Sequence, residues 1–367
     1  MKLVFLAWRD LENPAAGGAE ILLDRIMTGL VERGHDVTLL CGGPAGDRPY
    51  RVVVAGGAYS QYVLIPLRCA TQFRRADVVI DTENGFPYFS PLWRRRPLIC
   101  AVHHIHTDQW ETRFPKVIAE VCKKIETAVM PRVYRHETFV AISRSTANSL
   151  EAIGVKRNHV RIIEPGVDNP NGPAQERSKE PVYLSLNRLV PHKRIDLILQ
   201  AWEIAAKEIP GRLVVAGDGP ELDRLRRIAD GVPRTNVVGR ISEEEKFRLL
   251  AQASLLVSAS QHEGWGIVIL EAATRGTPTL AIDAAGVRDA VLDGVTGILI
   301  PSEGHRAVGL AKAWVNAAND PEMLRRMGSA AQHRVSEFNW SSVIDQWIDL
   351  LEEVRDVPKR PPATFNG

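Results

Sequence analysis

The chain lacks the features that mark several common protein classes. Its four cysteines, Cys41, Cys69, Cys100 and Cys122, include no CxxC pair, so the sequence predicts no disulfide framework and favours a reduced cytosolic protein. No apolar run reaches membrane-spanning length, and the N-terminal run is typical of a first β-strand rather than a signal peptide. The chain also lacks a large excess of positive or negative charge. The net charge of +2 over 367 residues gives nucleic-acid binding little support.

Motifs for metals and dinucleotides are scarce as well. No Asp-x-Asp occurs in the sequence, so a metal-bridged diphosphate has no visible carboxylate ligands. The glycines after the first strand do not have the GxGxxG spacing of dinucleotide-binding proteins. His106 and Asp108 extend a histidine doublet to H-x-H-x-D, but no cysteine or glutamate cluster accompanies them in the sequence. We therefore expect neither a metal nor a cofactor.

What is present is the pattern of a two-domain α/β protein. Hydrophobic residues make up 45% and charged residues 25% of the chain, as in globular domains. Short β-branched runs alternate with helical patterns, and this alternation starts again after a Pro- and Gly-rich stretch that follows Asp168. The sequence predicts two Rossmann-like domains, at 1–168 and 169–339, that face a central cleft. A C-terminal helix at about 340–357 is expected to pack back on the first domain, and 358–367 is expected to be disordered.

The run 263–271 is the most informative stretch. Two glycines flank an aromatic residue, and the apolar segment that follows predicts a buried helix ending at Gly276. The start of such a helix suits a phosphate, because its N–H groups are free. Glu263 and Glu271 are then placed to bind a sugar hydroxyl and a ribose. The alternative is a surface loop with a core helix behind it.

Two features of the first half also follow strands. Gly17 and Gly18 open the first helix and would leave bare N–H groups there, although a tight turn without a ligand is the alternative. His103 and His104 end another strand. Since successive strand residues point to opposite faces, at most one of them is expected to act, and the sequence leaves the choice open.

Basic and glycine-rich turns complete the candidates. Arg188 and Lys193 follow the first strand of the second half and could neutralise a diphosphate, or form a solvated basic turn. Gly219 lies in a turn that could line the site near a nucleotide base. The basic stretch from Pro115 to Arg135 indicates either an anionic membrane contact or a solvated helix face.

These residues together resemble retaining glycosyltransferases of family 4, which have the GT-B fold, in the glycogen synthase and mannosyltransferase-like group. The resemblance runs from Met1 to about Trp347. Its motifs occur in the family's order: GGAE, the histidine at a strand end, AISRST, EPGVD, NRLVPHKR, GDGP and EGWGIVILEAATRGTP. The resemblance implies an α/β fold of two Rossmann-like domains.

The resemblance also implies a role for each matching residue. Catalysis falls to His103, Arg188, Lys193 and Glu263. The nucleotide sugar is bound by a larger set: Gly18, Arg188, Lys193, Gly219, Glu263, Gly264, Trp265, Gly266, Ile267, Val268 and Glu271. Within that set Glu271 holds the ribose, Glu263 lies near the transferred sugar, and the backbone of 264–268 contacts the sugar and the diphosphate.

The implied activity is metal-independent transfer of a sugar, with retention of configuration, from a UDP- or GDP-sugar to a hydroxyl acceptor. Synthesis of a cell-envelope glycolipid or polysaccharide is the expected role, in the cytoplasm or at the inner face of the membrane. Three alternatives remain: a natural-product or small-molecule acceptor, a GT-B sugar-nucleotide epimerase, and a non-catalytic sugar-nucleotide-binding protein.

Overall fold

A computed structural model describes residues 1–14, 16–83, 85–94, 97–106, 110–168 and 177–356. The chain divides into two compact units. Unit 1 comprises Met1–Pro165 with Trp340–Gly367, and unit 2 comprises Gly166–Asn339. Most of the predicted linker and the predicted disordered tail lie outside the described residues.

Unit 1 contains one parallel sheet of seven strands in the order β3-β2-β1-β4-β5-β6-β7. Its strands are β1 Lys2–Arg9, β2 Asp36–Gly42, β3 Arg51–Val54, β4 Val78–Glu83, β5 Leu98–Val102, β6 Thr138–Ala141 and β7 Val160–Ile162. Its helices are α1 Gly18–Glu32, α2 Gln61–Gln72, α3 Trp110–Arg113, α4 Lys116–Lys124, α5 Met130–Val133, α6 Arg144–Ala152 and α14 Trp340–Asp356. A π-helical turn, Ile125–Val129, joins α4 to α5.

Unit 2 contains a parallel sheet of six strands in the order β10-β9-β8-β11-β12-β13. Its strands are β8 Val182–Leu186, β9 Arg212–Ala216, β10 Thr235–Gly239, β11 Leu255–Ser258, β12 Thr279–Ile282 and β13 Gly297–Ile300. Its helices are α7 Ile195–Ala205, α8 Leu222–Ala229, α9 Glu243–Gln252, α10 Ile267–Thr274, α11 Val287–Ala290, α12 Arg306–Ala318 and α13 Pro321–Val335.

Both sheets have the strand order of doubly wound Rossmann folds, as the alternating sequence pattern predicted. The order reverses between β1 and β4 in unit 1 and between β8 and β11 in unit 2. Ligands of such folds bind outside the carboxyl ends of the strands at these reversal points. The loops that leave these four strands are therefore the first places to search for a site.

Aromatic packing fixes the core of unit 2. The rings of Trp202 and Trp314 lie 5.1 Å apart, and both pack against Tyr183. All three side chains are buried, so α7 and α12 are fixed against the first strand of the sheet. Burial of three large aromatic residues in one cluster stabilises the unit by several kcal/mol, at about 25 cal/mol per Å² of apolar surface.

Helix α14 belongs to unit 1 although it ends the described chain. The ring of Trp347 lies 6.4 Å from that of Phe5 in β1. Ile344 lies beside Gly29 of α1, where an added Cβ would come within 2.6 Å of the isoleucine side chain. Arg33 pairs with Asp345 at the surface. None of the helices in the described part of the chain is long and apolar enough to cross a membrane.

Candidate functional site

A lysine–glutamate pair lies at the strand-order reversal of unit 2. Lys193 is in the loop after β8, and Glu263 is in the loop after β11. The Lys193 Nζ donates a hydrogen bond to the Glu263 Oε1, across 70 residues of sequence. Both side chains are largely but not fully buried, with 15% and 16% exposed. The fold thus brings together two of the charged residues that the sequence selected, at the place where such folds bind ligands.

Gly286, at the start of α11, holds the backbone of Glu263. The Glu263 N–H donates to the Ala285 carbonyl at 3.2 Å. Gly286 has φ +77°, and an added Cβ would lie 2.3 Å from the Glu263 carbonyl oxygen. Any larger residue would displace this loop. Sequence reasoning missed Gly286, since nothing in its neighbourhood points to a loop more than twenty residues earlier.

Helix α10 begins directly behind the loop, as the sequence predicted. Gly266 caps it with φ +84°, so Ile267 and Val268 form its first turn. The N–H groups of a first turn have no carbonyl partner within the helix and carry partial positive charge. Gly264 lies in the same loop. The arrangement can accept an anionic group next to Lys193.

Trp265 has a structural role in this loop. Its side chain is buried and packs edge-on against Phe338, with ring centroids 5.5 Å apart. The indole therefore anchors the loop to the C-terminal part of unit 2. The Trp265 side chain is therefore buried in the core, and its backbone role toward a ligand stays a prediction.

Glu271 is held by a lysine that sequence reasoning missed. The Lys246 Nζ in α9 lies 2.6 Å from the Glu271 Oε1 and 2.6 Å from a Glu243 oxygen. Burial raises the pKa of Glu271, and Lys246 counteracts this only in part. Burial alone lowers the pKa of Lys246, but the two glutamates outweigh it and raise that pKa. Each glutamate of the 263–271 run is therefore paired with a lysine from another element.

The turn after β9 comes very close to the loop after β8. Gly219 has φ +154°, and an added Cβ would lie 2.4 Å from the Leu189 carbonyl oxygen. The Leu189 N–H donates to the Asp218 carbonyl at 2.8 Å. Arg188, next to Leu189, is exposed. Gly219 thus positions the Arg188 loop.

At the first helix of unit 1 one expectation is wrong. Gly17 does not present a bare N–H, because that group donates to the Glu20 Oε2 at 2.7 Å. Glu20 also accepts from the Arg9 Nε at 2.8 Å. Gly18 is the first residue of α1. The negative charge of Glu20 at this helix start makes the position less suited to a phosphate than the glycines alone suggested.

The two adjacent histidines have different surroundings. His103 is 4% exposed and lies beside an apolar cavity of unit 1 lined by residues of α1 and α14. Its Nδ1 has no hydrogen-bond partner among the described residues. Burial lowers the pKa of His103 to about 4, with Glu20 acting in the opposite direction. His103 is therefore a neutral imidazole at pH 7, whereas His104 is only partly buried and packs against His106, with ring centroids 3.9 Å apart.

Comparison with known families gives two adjoining matches. The family model described as "Glycosyltransferase Family 4" matches residues 16–169. The model described as "Glycosyl transferases group 1" matches residues 170–334. Together they cover most of unit 1 and nearly all of unit 2.

Individual relatives are moderately similar. Glycogen synthase of Mycobacterium tuberculosis is 29% identical over 94% of this chain and 92% of its own length. D-inositol 3-phosphate glycosyltransferase of Nocardia farcinica is 29% identical over 58% of this chain, which spans 52% of that relative. This chain thus spans about half the length of several curated relatives that it matches. The crystal structure of Anabaena Alr3699/HepE in complex with UDP-glucose superposes with a TM-score of 0.77 at 19% identity, over 96% of this chain and 100% of that one.

Proposed function

Because this chain belongs to the family 4-like glycosyltransferases of the GT-B fold, we propose that it transfers a sugar with retention of configuration. The donor is a nucleoside diphosphate sugar, and the acceptor is a hydroxyl group. A UDP-sugar is the first donor to test, since the Anabaena structure holds UDP-glucose; a GDP-sugar is the second.

One observation carries this proposal: the Lys193–Glu263 pair at the reversal point of the unit 2 sheet, beside the start of α10. The ammonium and the first-turn N–H groups supply positive charge for a diphosphate. Glu263 supplies a carboxylate acceptor for sugar hydroxyls. Glu271, five residues into α10, supplies a second carboxylate for the ribose.

The proposed transfer needs no metal at the diphosphate. The bond between the anomeric carbon and the diphosphate oxygen breaks, and its electron pair stays on the diphosphate. Lys193 and Arg188 neutralise the charge that develops there. The acceptor oxygen forms the new bond on the face that the diphosphate leaves, and its proton passes to the departing phosphate oxygen. The neutral imidazole of His103 serves as a hydrogen-bond partner for a sugar hydroxyl.

A donor and acceptor panel tests the proposal. The protein is incubated with UDP- and GDP-sugars with and without hydroxyl acceptors, and nucleoside diphosphate release is measured together with the NMR signal of the new anomeric proton. We expect acceptor-dependent release and the donor's anomeric configuration in the product. An inverted product would refute retention. Donor conversion without sugar transfer is the result that an epimerase predicts, and binding without turnover is what a non-catalytic protein predicts.

For the acceptor we propose a cell-envelope glycolipid or polysaccharide at a membrane surface. Helix α4 exposes apolar side chains, among them Val117 and Val121 at 79% and 53%. Lysines 116, 123 and 124 belong to the same helix. Exposed apolar groups flanked by lysines suit the interface of an anionic membrane.

Vesicle sedimentation tests this surface. We expect binding to vesicles with anionic lipid, weaker binding at high salt, and loss of binding in Val117→Asp/Val121→Asp. Lys207→Ala, an exposed lysine change in unit 2, is the control. Equal binding to neutral and anionic vesicles, or none at all, contradicts the membrane proposal. A small-molecule acceptor is then the second candidate, supported by the name of the Nocardia farcinica relative.

A further inference from the structure

Three buried ionisable side chains converge in unit 1. Glu83 is the last residue of β4, His106 follows β5, and Glu126 lies in the π-helical turn. One potential ligand atom from each lies within 4.8 Å of the other two. All three are buried, at 0%, 2% and 0% exposed. Sequence reasoning noticed His106 but expected no glutamate cluster beside it, and that expectation is wrong.

Hydrogen bonds orient most of the carboxylate oxygens. The Glu126 Oε1 accepts from the His106 N–H at 2.6 Å, and the Glu126 Oε2 accepts from the Trp110 Nε1 at 2.9 Å. The Glu83 Oε1 accepts from the Gly85 N–H at 2.8 Å. The Glu83 Oε2 is the exception. It is buried and has no hydrogen-bond partner among the described residues.

The charges of the cluster are not balanced by basic residues. Within the described ranges, neither glutamate forms an ion pair with a lysine or arginine; the nearest basic group is the His106 Nδ1, 3.3 Å from the Glu126 Oε1, and it is charged only when protonated. A buried carboxyl group needs a proton or a cation beside it.

The backbone around the cluster is shaped to present these groups. A π-helical turn is rare and occurs mostly at functional sites, because it displaces a side chain from the regular helical position. Here that turn carries Glu126. Gly85 has φ +99°, and an added Cβ would lie 2.9 Å from the Trp110 ring. Gly85 is thus packed tightly against Trp110, the residue that orients Glu126.

We propose that Glu83, His106 and Glu126 bind a divalent transition-metal ion, with Zn²⁺ as the best match. Zinc accepts imidazole nitrogen and carboxylate oxygen as ligands, and mixed nitrogen and oxygen sets favour first-row metals over Mg²⁺ or Ca²⁺. The free Glu83 Oε2 is the oxygen available for it. The ion joins the end of β4, the loop after β5 and the turn between α4 and α5. It takes no part in the glycosyl transfer proposed above, so it revises only the expectation that the chain binds no metal.

Metal titration of the full chain tests the proposal. Protein treated with a chelator and dialysed is titrated with Zn²⁺ by calorimetry, and its metal content and melting temperature are measured. We expect one ion per chain and a higher melting temperature with Zn²⁺, since a ligand of the folded state stabilises it. Glu83→Gln keeps the shape of the side chain and should weaken binding at least about 100-fold. Glu120→Gln, an exposed carboxylate on α4, is the matched control and should bind like the wild type.

Two results would overturn the proposal: no Zn²⁺ binding by the wild type, or equal affinity in Glu83→Gln and the wild type. X-ray absorption at the zinc edge provides a second test that needs no variant. It should report imidazole and oxygen neighbours without sulfur. A sulfur shell would place the ion at a cysteine and refute this site, even if Glu83→Gln failed to fold.

Discussion

The Lys246 Nζ lies 2.6 Å from the Glu271 Oε1, although 25 residues separate them in the chain. Helix α9 therefore supplies the charge that balances the glutamate expected to hold the donor's ribose. Lys193 does the same for Glu263 from the loop after β8. The two glutamates thus lie in α10 and in the loop before it, and each is paired with a lysine from another element.

Lys193→Ala should lower kcat about 10²- to 10³-fold, because a charge that stabilises the leaving diphosphate is removed. The fold should persist, since Lys193 lies in a loop and is partly exposed. Steady-state kinetics and circular dichroism measure the two effects. Lys207→Ala, at an exposed position in the same unit, is the control. Wild-type turnover in the Lys193 variant would argue against the diphosphate role.

Glu271→Ala should weaken nucleotide binding about 10- to 100-fold, because hydrogen bonds that the ribose hydroxyls donate to a charged carboxylate are worth about 1.5–3 kcal/mol. Calorimetry with UDP and GDP measures the change. Glu243→Gln is the matched control, since Glu243 also pairs with Lys246 but its side chain is 80% exposed. Equal nucleotide affinity in the two variants would contradict the role of Glu271 in binding the ribose.

Gly286→Ala should disturb the Glu263 loop, and Gly294→Ala isolates the backbone part of that effect. Both glycines have left-handed φ, at +77° and +71°, but an added Cβ at Gly294 meets nothing within 4 Å. A positive φ alone costs a residue other than glycine roughly 1–2 kcal/mol. Overlap with the Glu263 carbonyl should add about 1–3 kcal/mol and weaken donor binding. Chemical denaturation measures the free energy of unfolding, and calorimetry measures the donor affinity. Equal losses of unfolding free energy in the two variants would mean that the Glu263 loop accommodates the added methyl group at no further cost.

The His103 imidazole should make stability depend on pH between about 6.5 and about 4. Its pKa is about 4 in the folded chain against an ordinary 6.5, so the unfolded chain takes up the proton first as the pH falls. The stabilisation that the neutral His103 contributes is therefore fully present above pH 6.5. It is lost as the pH falls towards 4, and the free energy of unfolding drops by about 3 kcal/mol at most. The variant His103→Phe should make the free energy of unfolding less dependent on pH in this range. An unchanged slope in His103→Phe would show that another group titrates there.

Much of the fold was predictable from local patterns. Alternating apolar runs and helical segments indicated two doubly wound units, and a glycine before an apolar run indicated the start of α10. These features depend on neighbours within a few residues, so one sequence suffices to find them. Local patterns also selected Lys193, because it follows a short strand at an edge where such folds bind ligands. Glu263 was selected because it precedes a glycine-flanked loop and an apolar helix.

Only the tertiary structure decided which distant residues meet. The order of strands and the packing of helices place Lys246 beside Glu271 and Gly286 beside the backbone of Glu263. They also bury His103 while leaving His104 partly exposed, and bring Glu83 and Glu126 to His106. No local pattern encodes such contacts, because they join segments separated by up to dozens of residues. The sequence determined the kinds of element and the candidate edges, whereas packing determined which charges are paired and which buried oxygen is left for an ion.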